Sequence, residues 1–320
     1  MQGRLYIDGQ DLFTAYGIYA TQKAWNALVA YPPLKKVESN DWQEYDGIEA
    51  DLANPVLNTR EIQITLASRG SWTSFEQLIT LLSNGAYHVF DCRYIQRTYR
   101  LRLTQQSSHK AVNGLSLLTL NLADDFPLDG YSYVAPASTV FHFPHEYEID
   151  GIPTTDYGVH VLQGSIPDIV KQPAVKQNLL RNLNILSGAI YDPQNVTYKA
   201  RTIKLKCLMR ANTLAELWQN YDALLYDLIR PHTRRIAVLP ISRTYNCYYT
   251  SCTVDGLSSE ERIGIIFQLT FTVCEDIIEG GDEIILATET IDPVVQTENE
   301  YFLIDLRPDA GYPEPPIQHD

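Results

Sequence analysis

Apolar and polar residues alternate in two stretches that carry the clearest strand pattern of the chain. Residues 60–66 read Arg-Glu-Ile-Gln-Ile-Thr-Leu, and residues 201–207 read Arg-Thr-Ile-Lys-Leu-Lys-Cys. A period of two predicts a strand with one face buried. A similar alternation returns further on, at residues 118–122 and 269–273. The fold is therefore predicted to be mainly β.

Between these strands the apolar spacing changes to that of a helix. Apolar residues at i, i+3, i+6 and i+7 predict the core face of one flanking helix in each half of the chain. These residues are Phe75, Leu78, Leu81 and Leu82 in the first half, and Trp218, Tyr221, Leu224 and Leu225 in the second. Thr73 and Thr213, each with a glutamate three residues on, have the capping-box pattern and predict where the helices begin.

Short motifs recur in the same order in both halves. The matched pairs are Ile7-Asp8-Gly9 with Ile149-Asp150-Gly151, Tyr16-Gly17 with Tyr157-Gly158, Arg97-Thr98-Tyr99 with Arg243-Thr244-Tyr245, and the acidic pairs Asp124-Asp125 with Glu275-Asp276. All matches are collinear, and their separation changes only from 141 to 151 residues. We therefore predict a tandem duplication: copy one (residues 1–130), a linker (131–146), copy two (147–279) and a C-terminal extension (280–320).

The motif order of each copy resembles that of the N-terminal domain of siphophage distal tail proteins, a family related to tail-tube proteins. The matching features of copy one are Asp8-Gly9, Tyr16-Gly17, Asp46-Gly47, Arg60 and the stretch from Asp91 to Tyr99; copy two has Ser187-Gly188 where Asp-Gly is expected. The resemblance implies an α+β fold, mainly β with one helix per domain: two tandem tail-tube-like domains, each a small β-sandwich or β-roll.

The resemblance also implies a function, a partner and a location. Such domains form rings through which DNA passes without specific binding, in contact with other tail proteins above and below. Three chains of two domains give a pseudo-six-fold homotrimer, which we prefer; a homohexamer is the alternative. The expected location is a virion tail, after synthesis in the host cytoplasm. Whether the ring belongs to the tube, distal tail or hub stays open.

Each copy contains a long segment before its Arg-headed strand, residues 22–56 and 163–198. Loops of this length are uncommon in compact domains and are usually functional. We expect these segments to be belts that wrap a neighbouring domain of the ring, with disordered surface loops as the alternative. Residues Val175 to Leu186 are basic and apolar, a composition compatible with a helix.

Charge and cysteine content limit the possible partners. The net charge is −14, and residues 280–320 hold ten acidic residues and one arginine, which sum to −9. An acidic chain is a poor binder of phosphates but suits a channel along which DNA slides. No run of 18 apolar residues predicts a membrane span, and no apolar segment at the start predicts a secretory signal. The five cysteines lack a CxxC pair and are expected to be buried thiols.

Candidate chemistry is sparse, so we predict neither an enzyme nor a cofactor. His142, His145 and Glu146 flank a proline in the linker, and they lack the ligand set of a zinc site. Phosphate-binding glycine loops and the Gly-x-Ser-x-Gly elbow are absent from the sequence. Adjacent carboxylates such as Asp124 and Asp125 point to opposite sides of an extended chain, whereas a glycosidase needs a facing pair.

The repeated Arg-Thr-Tyr motif is the main candidate for a shared role. Arg97, Tyr99, Arg243 and Tyr245 are expected either to contact another subunit or to brace a turn inside each domain, and the sequence does not separate these possibilities. The tyrosine-rich composition also leaves a second function open. That alternative is a monomeric β-sandwich module of a tail that binds carbohydrate or protein, with an exposed aromatic platform on one copy only.

Overall fold

The alternating stretches form strands in the computed structural model, which describes residues 2–69, 72–112, 115–137, 143–176, 185, 187–188, 196–260 and 262–277. The chain divides into one unit, Met1–Glu279, and a second unit, Gly280–Asp320. The second unit, which is the predicted extension, lies outside the described residues. So do His142 and most of the predicted helix from Val175 to Leu186.

The first 124 residues contain nine strands and three helices in the described part of the chain. In chain order these are β1 (Tyr6–Ile7), β2 (Gln10–Asp11), α1 (Leu12–Tyr16), β3 (Ile18–Ala20), α2 (Gln22–Val29), β4 (Ser39–Asn40), β5 (Glu49–Ala50), β6 (Arg60–Ser68), α3 (Trp72–Leu82), β7 (His88–Cys92), β8 (Arg97–Val112) and β9 (Leu115–Asp124).

The later elements follow a similar order. They are β10 (Tyr147–Ile149), β11 (Ile152–Pro153), β12 (Val159–Val161), α4 (Ile166–Val170), β13 (Arg201–Arg210), α5 (Leu214–Leu228), β14 (Arg234–Val238), β15 (Arg243–Ser258) and β16 (Gly264–Ile277). Short 3-10 turns occupy Thr154–Tyr157, Gln163–Ser165 and Leu239–Ile241.

Residues 1–130 and 147–279, the predicted copies one and two, each contain one seven-stranded sheet within the described residues. The strand order is β2-β1-β7-β8-β9-β6-β3 in copy one and β11-β10-β14-β15-β16-β13-β12 in copy two, so the two orders match strand for strand. The pairs between these strands are antiparallel. In copy one β8 pairs with β7 through residues 97–101 and with β9 through residues 102–112. This long strand joins the two halves of a curled sheet.

The mainly β prediction is confirmed, but one helix per domain is an undercount: in the described residues copy one has three α-helices and copy two has two, α4 and α5. Sequence periodicity found only the helix that follows each Arg-headed strand. The prediction for Thr213 is confirmed, since its side chain accepts a hydrogen bond from the Glu216 amide at the start of α5. The prediction for Thr73 is wrong, because α3 already begins at Trp72.

The two hairpin strands that follow the Arg-Thr-Tyr motifs are long and bulged. Strands β8 and β15 continue to Val112 and Ser258. Within them Thr104 and Thr250 each mark a bulge, a residue skipped in the pairing with the next strand. A bulge bends the strand locally without ending it.

The acidic pairs are not equivalent positions. Arg60 lies opposite Asp124 in the sheet of copy one, whereas Arg201 lies opposite Val273 in copy two. Strand register therefore matches Asp124 with Val273, and Glu275 and Asp276 lie two residues further along β16. The sequence alignment was displaced by two residues, a shift that leaves an alternating pattern unchanged.

The Asp-Gly turns have the same structure in both copies. Asp8 and Asp150 adopt positive φ angles of 48° and 52°, each followed by a glycine with positive φ. Each aspartate also accepts a hydrogen bond from a backbone amide of the neighbouring strand, at Val89 in copy one and Arg235 in copy two, both 2.8 Å. These turns fix the opening hairpin of each sheet.

Candidate functional site: the interface between the two copies

The long segment of copy one lies on copy two of the same chain. Tyr31 stacks on Tyr221 of α5 with ring centroids 3.9 Å apart. Its hydroxyl donates to the Tyr221 carbonyl, and the Tyr221 hydroxyl donates to the Val29 carbonyl at 3.0 Å. Both rings are almost fully buried. Stacked aromatic rings with satisfied hydroxyls are favourable in a dry interface.

The backbone of this segment also bonds to β15. The Leu34 amide donates to the carbonyl of the bulge residue Thr250 at 2.9 Å. The Tyr249 hydroxyl donates to the Pro32 carbonyl at 2.9 Å, and Gln22 of α2 donates to the Leu257 carbonyl at the same distance. The segment is thereby held along the length of β15.

A turn further along the same segment fits against β16. Gly47 has a φ of 67°, and a Cβ at this position would lie 1.6 Å from the Cys274 carbonyl oxygen. The next residue, Ile48, donates its amide to that oxygen at 3.2 Å. Only glycine allows so close an approach with this backbone conformation.

The turn also binds a buried lysine of copy two. The Lys176 ammonium donates to the carbonyls of Trp42, Tyr45 and Gly47 at 2.6–2.9 Å and pairs with the Asp41 carboxylate at 2.6 Å. Its side chain is 1% exposed. A buried ammonium needs this degree of compensation, since removal from water is costly.

The arginines of the Arg-Thr-Tyr motifs have different surroundings. Arg97 donates to the Asp222 carboxylate at 2.7 Å and lies over the Trp218 ring at 4.4 Å, so it contacts α5 of copy two. Burial raises the pKa of Asp222, and Arg97 opposes this rise. Arg243 is partly exposed, and within the described residues it forms no ion pair.

The tyrosines of the motif face into their own domains. Arg60 lies over the Tyr99 ring at 4.9 Å, and Arg201 lies over the Tyr245 ring at 5.1 Å. Both arginines also donate to backbone carbonyls at the end of the preceding helix, Arg60 to Leu28 at 2.8 Å and Arg201 to Ile169 at 2.9 Å. Each pair connects a strand, a helix end and a hairpin.

The predicted helix-core residues have two environments. Phe75 and Leu78 of α3 are fully buried, and Leu81 is partly buried against the core. Trp218, Tyr221 and Leu224 are also buried. Trp218, however, donates its indole NH to the Ile95 carbonyl of copy one at 2.7 Å, so α5 serves the interface as well as its own sheet. Sequence periodicity does not distinguish these two kinds of burial.

The linker lies against α5. Gln219 donates to the Ala135 carbonyl at 2.7 Å, and the Ala137 amide donates to the Asn220 side chain at 2.6 Å. His145 pairs with Glu148 at 2.9 Å. No group of three metal-binding side chains occurs in the part of the chain that the structure describes.

The cysteines are the remaining candidates for chemistry. All five cysteines are free and buried, as predicted. Burial raises the pKa of Cys92 and of Cys252 to about 12, so these thiols are protonated near neutral pH. Among the described helices, none has the length and apolar character required to cross a membrane.

Comparisons with known proteins add little. No protein-family model matches the chain, and no curated protein does. Among solved structures the chain is similar to SPP1 Dit (gp 19.1), described as a paradigm of the hub adsorption apparatus in phages that infect Gram-positive bacteria. The two chains are 12% identical, the match covers 84% of this chain and 97% of that chain, and the TM-score is 0.29. At that TM-score the likeness decides neither fold nor function here.

Proposed function

We propose that the chain is a structural component of a bacteriophage or phage-like tail, a distal tail, hub or tube protein that assembles into a ring. The interface between its copies supports the assembly. The long segment of copy one lies on α5 and β15 of copy two, so two related domains meet through different surfaces. The motif resemblance of each copy supports the place in a tail.

A contact between two different surfaces is head-to-tail. One surface of copy one and one surface of copy two then have no counterpart within the chain. Repetition of the contact between chains gives either a closed ring or an open filament. If the contact between chains repeats the contact within the chain, three chains close a ring of six domains. A six-chain ring, with copy two outside it or in a second layer, is the alternative.

The same proposal assigns the partners. Other tail proteins lie above and below the ring, and DNA passes through the channel without specific binding. The net charge of −14 is compatible with this role, because an acidic wall repels phosphate. The protein is made in the host cytoplasm and acts in the virion tail.

Electron microscopy of the purified protein tests the proposal. We expect closed particles with a central channel wide enough to admit a DNA duplex. Antibodies against the chain should label the tail of particles released by the host. Filaments without a channel, or label confined to the capsid, would contradict this function.

An exposed aromatic pair favours a second candidate, a carbohydrate- or protein-binding module. Tyr87 and Phe126 are about two-fifths exposed, and their ring centroids are 5.3 Å apart. By strand register the matching positions of copy two are Thr233 and Glu275, so the pair occurs on one copy only. Binding of an oligosaccharide or tail protein that Tyr87→Ala abolishes, in a protein that stays monomeric, would favour this candidate over the ring.

A further inference from the structure

The segment that precedes the Arg-headed strand has the same backbone pairing in both copies. Leu34 forms an isolated bridge with Leu57, and Val175 forms one with Tyr198, with a separation of 141 residues in both partners. The amides of Lys35 and Lys176 donate to carbonyls later in the same copy, those of Val56 and Thr197, both at 2.8 Å. Residues 29–35 of copy one thus have direct counterparts at 170–176 of copy two.

These counterparts differ in what covers them. Val29, whose carbonyl accepts a hydrogen bond from Tyr221 of copy two, is 4% exposed, whereas its counterpart Val170 is 40% exposed. Leu34 bonds to Thr250, whereas its counterpart Val175 is 43% exposed. The segment of copy two therefore presents the same backbone form to solvent.

The receiving strand also occurs twice. Thr104 and Thr250 are both bulge residues, and their hydroxyls donate to the carbonyls of Asn121 and Thr270 at 3.0 and 2.9 Å. In copy two the bulge carbonyl accepts the Leu34 amide. In copy one Thr104 and the following residues through Gln106 are exposed. Strand β8, the counterpart of β15, is therefore exposed to solvent at this bulge.

A glycine and a lysine repeat this contrast. Gly47 lies against Cys274, while its counterpart Gly188, with a φ of 89°, has no atom within 4 Å of a built Cβ among the described residues. Lys176 is enclosed by copy one, while its counterpart Lys35 is exposed. In each pair the residue at the interface within the chain is in contact with the other copy, and the matching residue is exposed to solvent.

We infer that a second copy of this chain docks residues 170–175 on β8 of copy one, with the Val175 amide bonded to the Thr104 carbonyl. This contact rests on the proposed function and specifies its subunit interface. By strand register Gly188 then approaches Asp125, the counterpart of Cys274. Continuity with the interface inside the chain is the reason for choosing a second copy as the occupant.

The contact between chains lacks several groups of the contact within the chain. Gln172 replaces Tyr31, and at the receiving helix Leu78 and Ile79 stand where copy two has Tyr221 and Asp222. The stacked tyrosines and the Arg97–Asp222 ion pair therefore have no equivalent. We expect the two copies of one chain to stay together under conditions that separate the chains.

Cysteine cross-linking tests the contact. The variant Thr104→Cys/Val175→Cys carries the pair between chains, and Leu34→Cys/Thr250→Cys carries the matched pair within one chain. A backbone hydrogen bond of this kind brings two segments to about the 4.8 Å spacing of neighbouring strands, within the Cα separations of about 4.4–6.8 Å that a disulfide spans. The native cysteines are buried, so mild oxidation should act on the introduced pair.

We expect the first variant to give covalent dimers and trimers on a non-reducing gel, and the second to give an oxidised single chain. Mixing the single variants Thr104→Cys and Val175→Cys should stop the product at a dimer. An oligomer by light scattering that forms no disulfide, while the pair within the chain does, overturns this contact but not the ring. A protein that stays monomeric overturns the proposed function itself.

Discussion

The flanking helices of the two copies show how one sequence pattern serves two purposes. Helix α3 of copy one buries three of its residues, Phe75, Leu78 and Leu82, along one face. Helix α5 of copy two buries ten residues, including Trp218, Tyr221 and Asn220. Its additional face lies under the segment of copy one and the linker. The difference between the helices thus marks where one domain covers another.

The largest effect is expected from removing the aromatic side chain of Tyr221, which lies at the interface face of α5. Tyr221→Ala should lower the free energy of unfolding by about 4 kcal/mol, because it leaves a cavity beneath Tyr31. Leu78→Ala, the matched change in α3, should cost about 3 kcal/mol. Limited proteolysis separates the two: only Tyr221→Ala should expose residues 22–56 to cleavage. Equal cleavage in both variants would contradict the role assigned to Tyr221.

The glycine pair should respond unequally. Gly47→Ala places a methyl group against the Cys274 carbonyl in addition to the strain of a positive φ, so we expect a loss of about 3 kcal/mol. In the monomeric chain Gly188→Ala should cost about 1 kcal/mol, the strain alone. Chemical denaturation measures both, and Gly85→Ala, also at positive φ in open space, is the control. Similar losses at positions 47 and 188 in the monomeric chain would contradict the close approach of Gly47 to Cys274.

The two matching lysines differ in burial, since Lys176 is buried and Lys35 is exposed. Lys176→Met leaves three inward-facing carbonyls and the Asp41 carboxylate without their cation, so we expect a loss of about 2 kcal/mol. Lys35→Met changes an exposed residue and should alter the stability of the single chain by less than about 0.5 kcal/mol. Thermal unfolding compares them, and a larger loss for Lys35→Met would reverse the assignment.

The smallest effect is expected from the arginine pair, and it should depend on pH. Arg97→Ala removes the cation that opposes the rise in the Asp222 pKa, so that pKa rises further above its unfolded value. The penalty is then full above the folded pKa and declines as pH falls towards the unfolded pKa. We expect about 1.5 kcal/mol at pH 8, the lower end for a hydrogen bond to a charged group, and less at pH 5.

Arg243→Ala is the matched control for that experiment, because Arg243 forms no ion pair within the described residues. Its stability should stay near that of the parent protein at both pH values. A loss for Arg97→Ala that is the same at pH 5 and pH 8 would show that Asp222 is not the group responsible.

The sequence predicted the parts of the fold that depend on local pattern. The strands headed by Arg60 and Arg201 follow from alternation, and the start of α5 follows from its cap at Thr213. The displaced acidic pairs show the limit of that method. A shift by two residues preserves alternation, so only the pairing of Arg60 with Asp124 reveals the true register.

The interface could be predicted only in part from the sequence. The length of the segment 22–56 pointed to a belt, but the sequence did not show that its partner is copy two of the same chain. Lys176 was missed, because nothing local distinguishes a buried lysine from an exposed one. Its carbonyl ligands are about 130 residues away along the chain. Tyr31 was missed for the same reason: its partner Tyr221 is distant in sequence.

Native mass spectrometry at micromolar concentration tests the central claim, that one head-to-tail contact is used both within and between chains. With a chain mass of 36.3 kDa, three chains give about 109 kDa, and this is the species we predict. A dominant species of six chains would favour the alternative in which only one copy of each chain builds the ring. A chain that remains at 36.3 kDa would contradict the account.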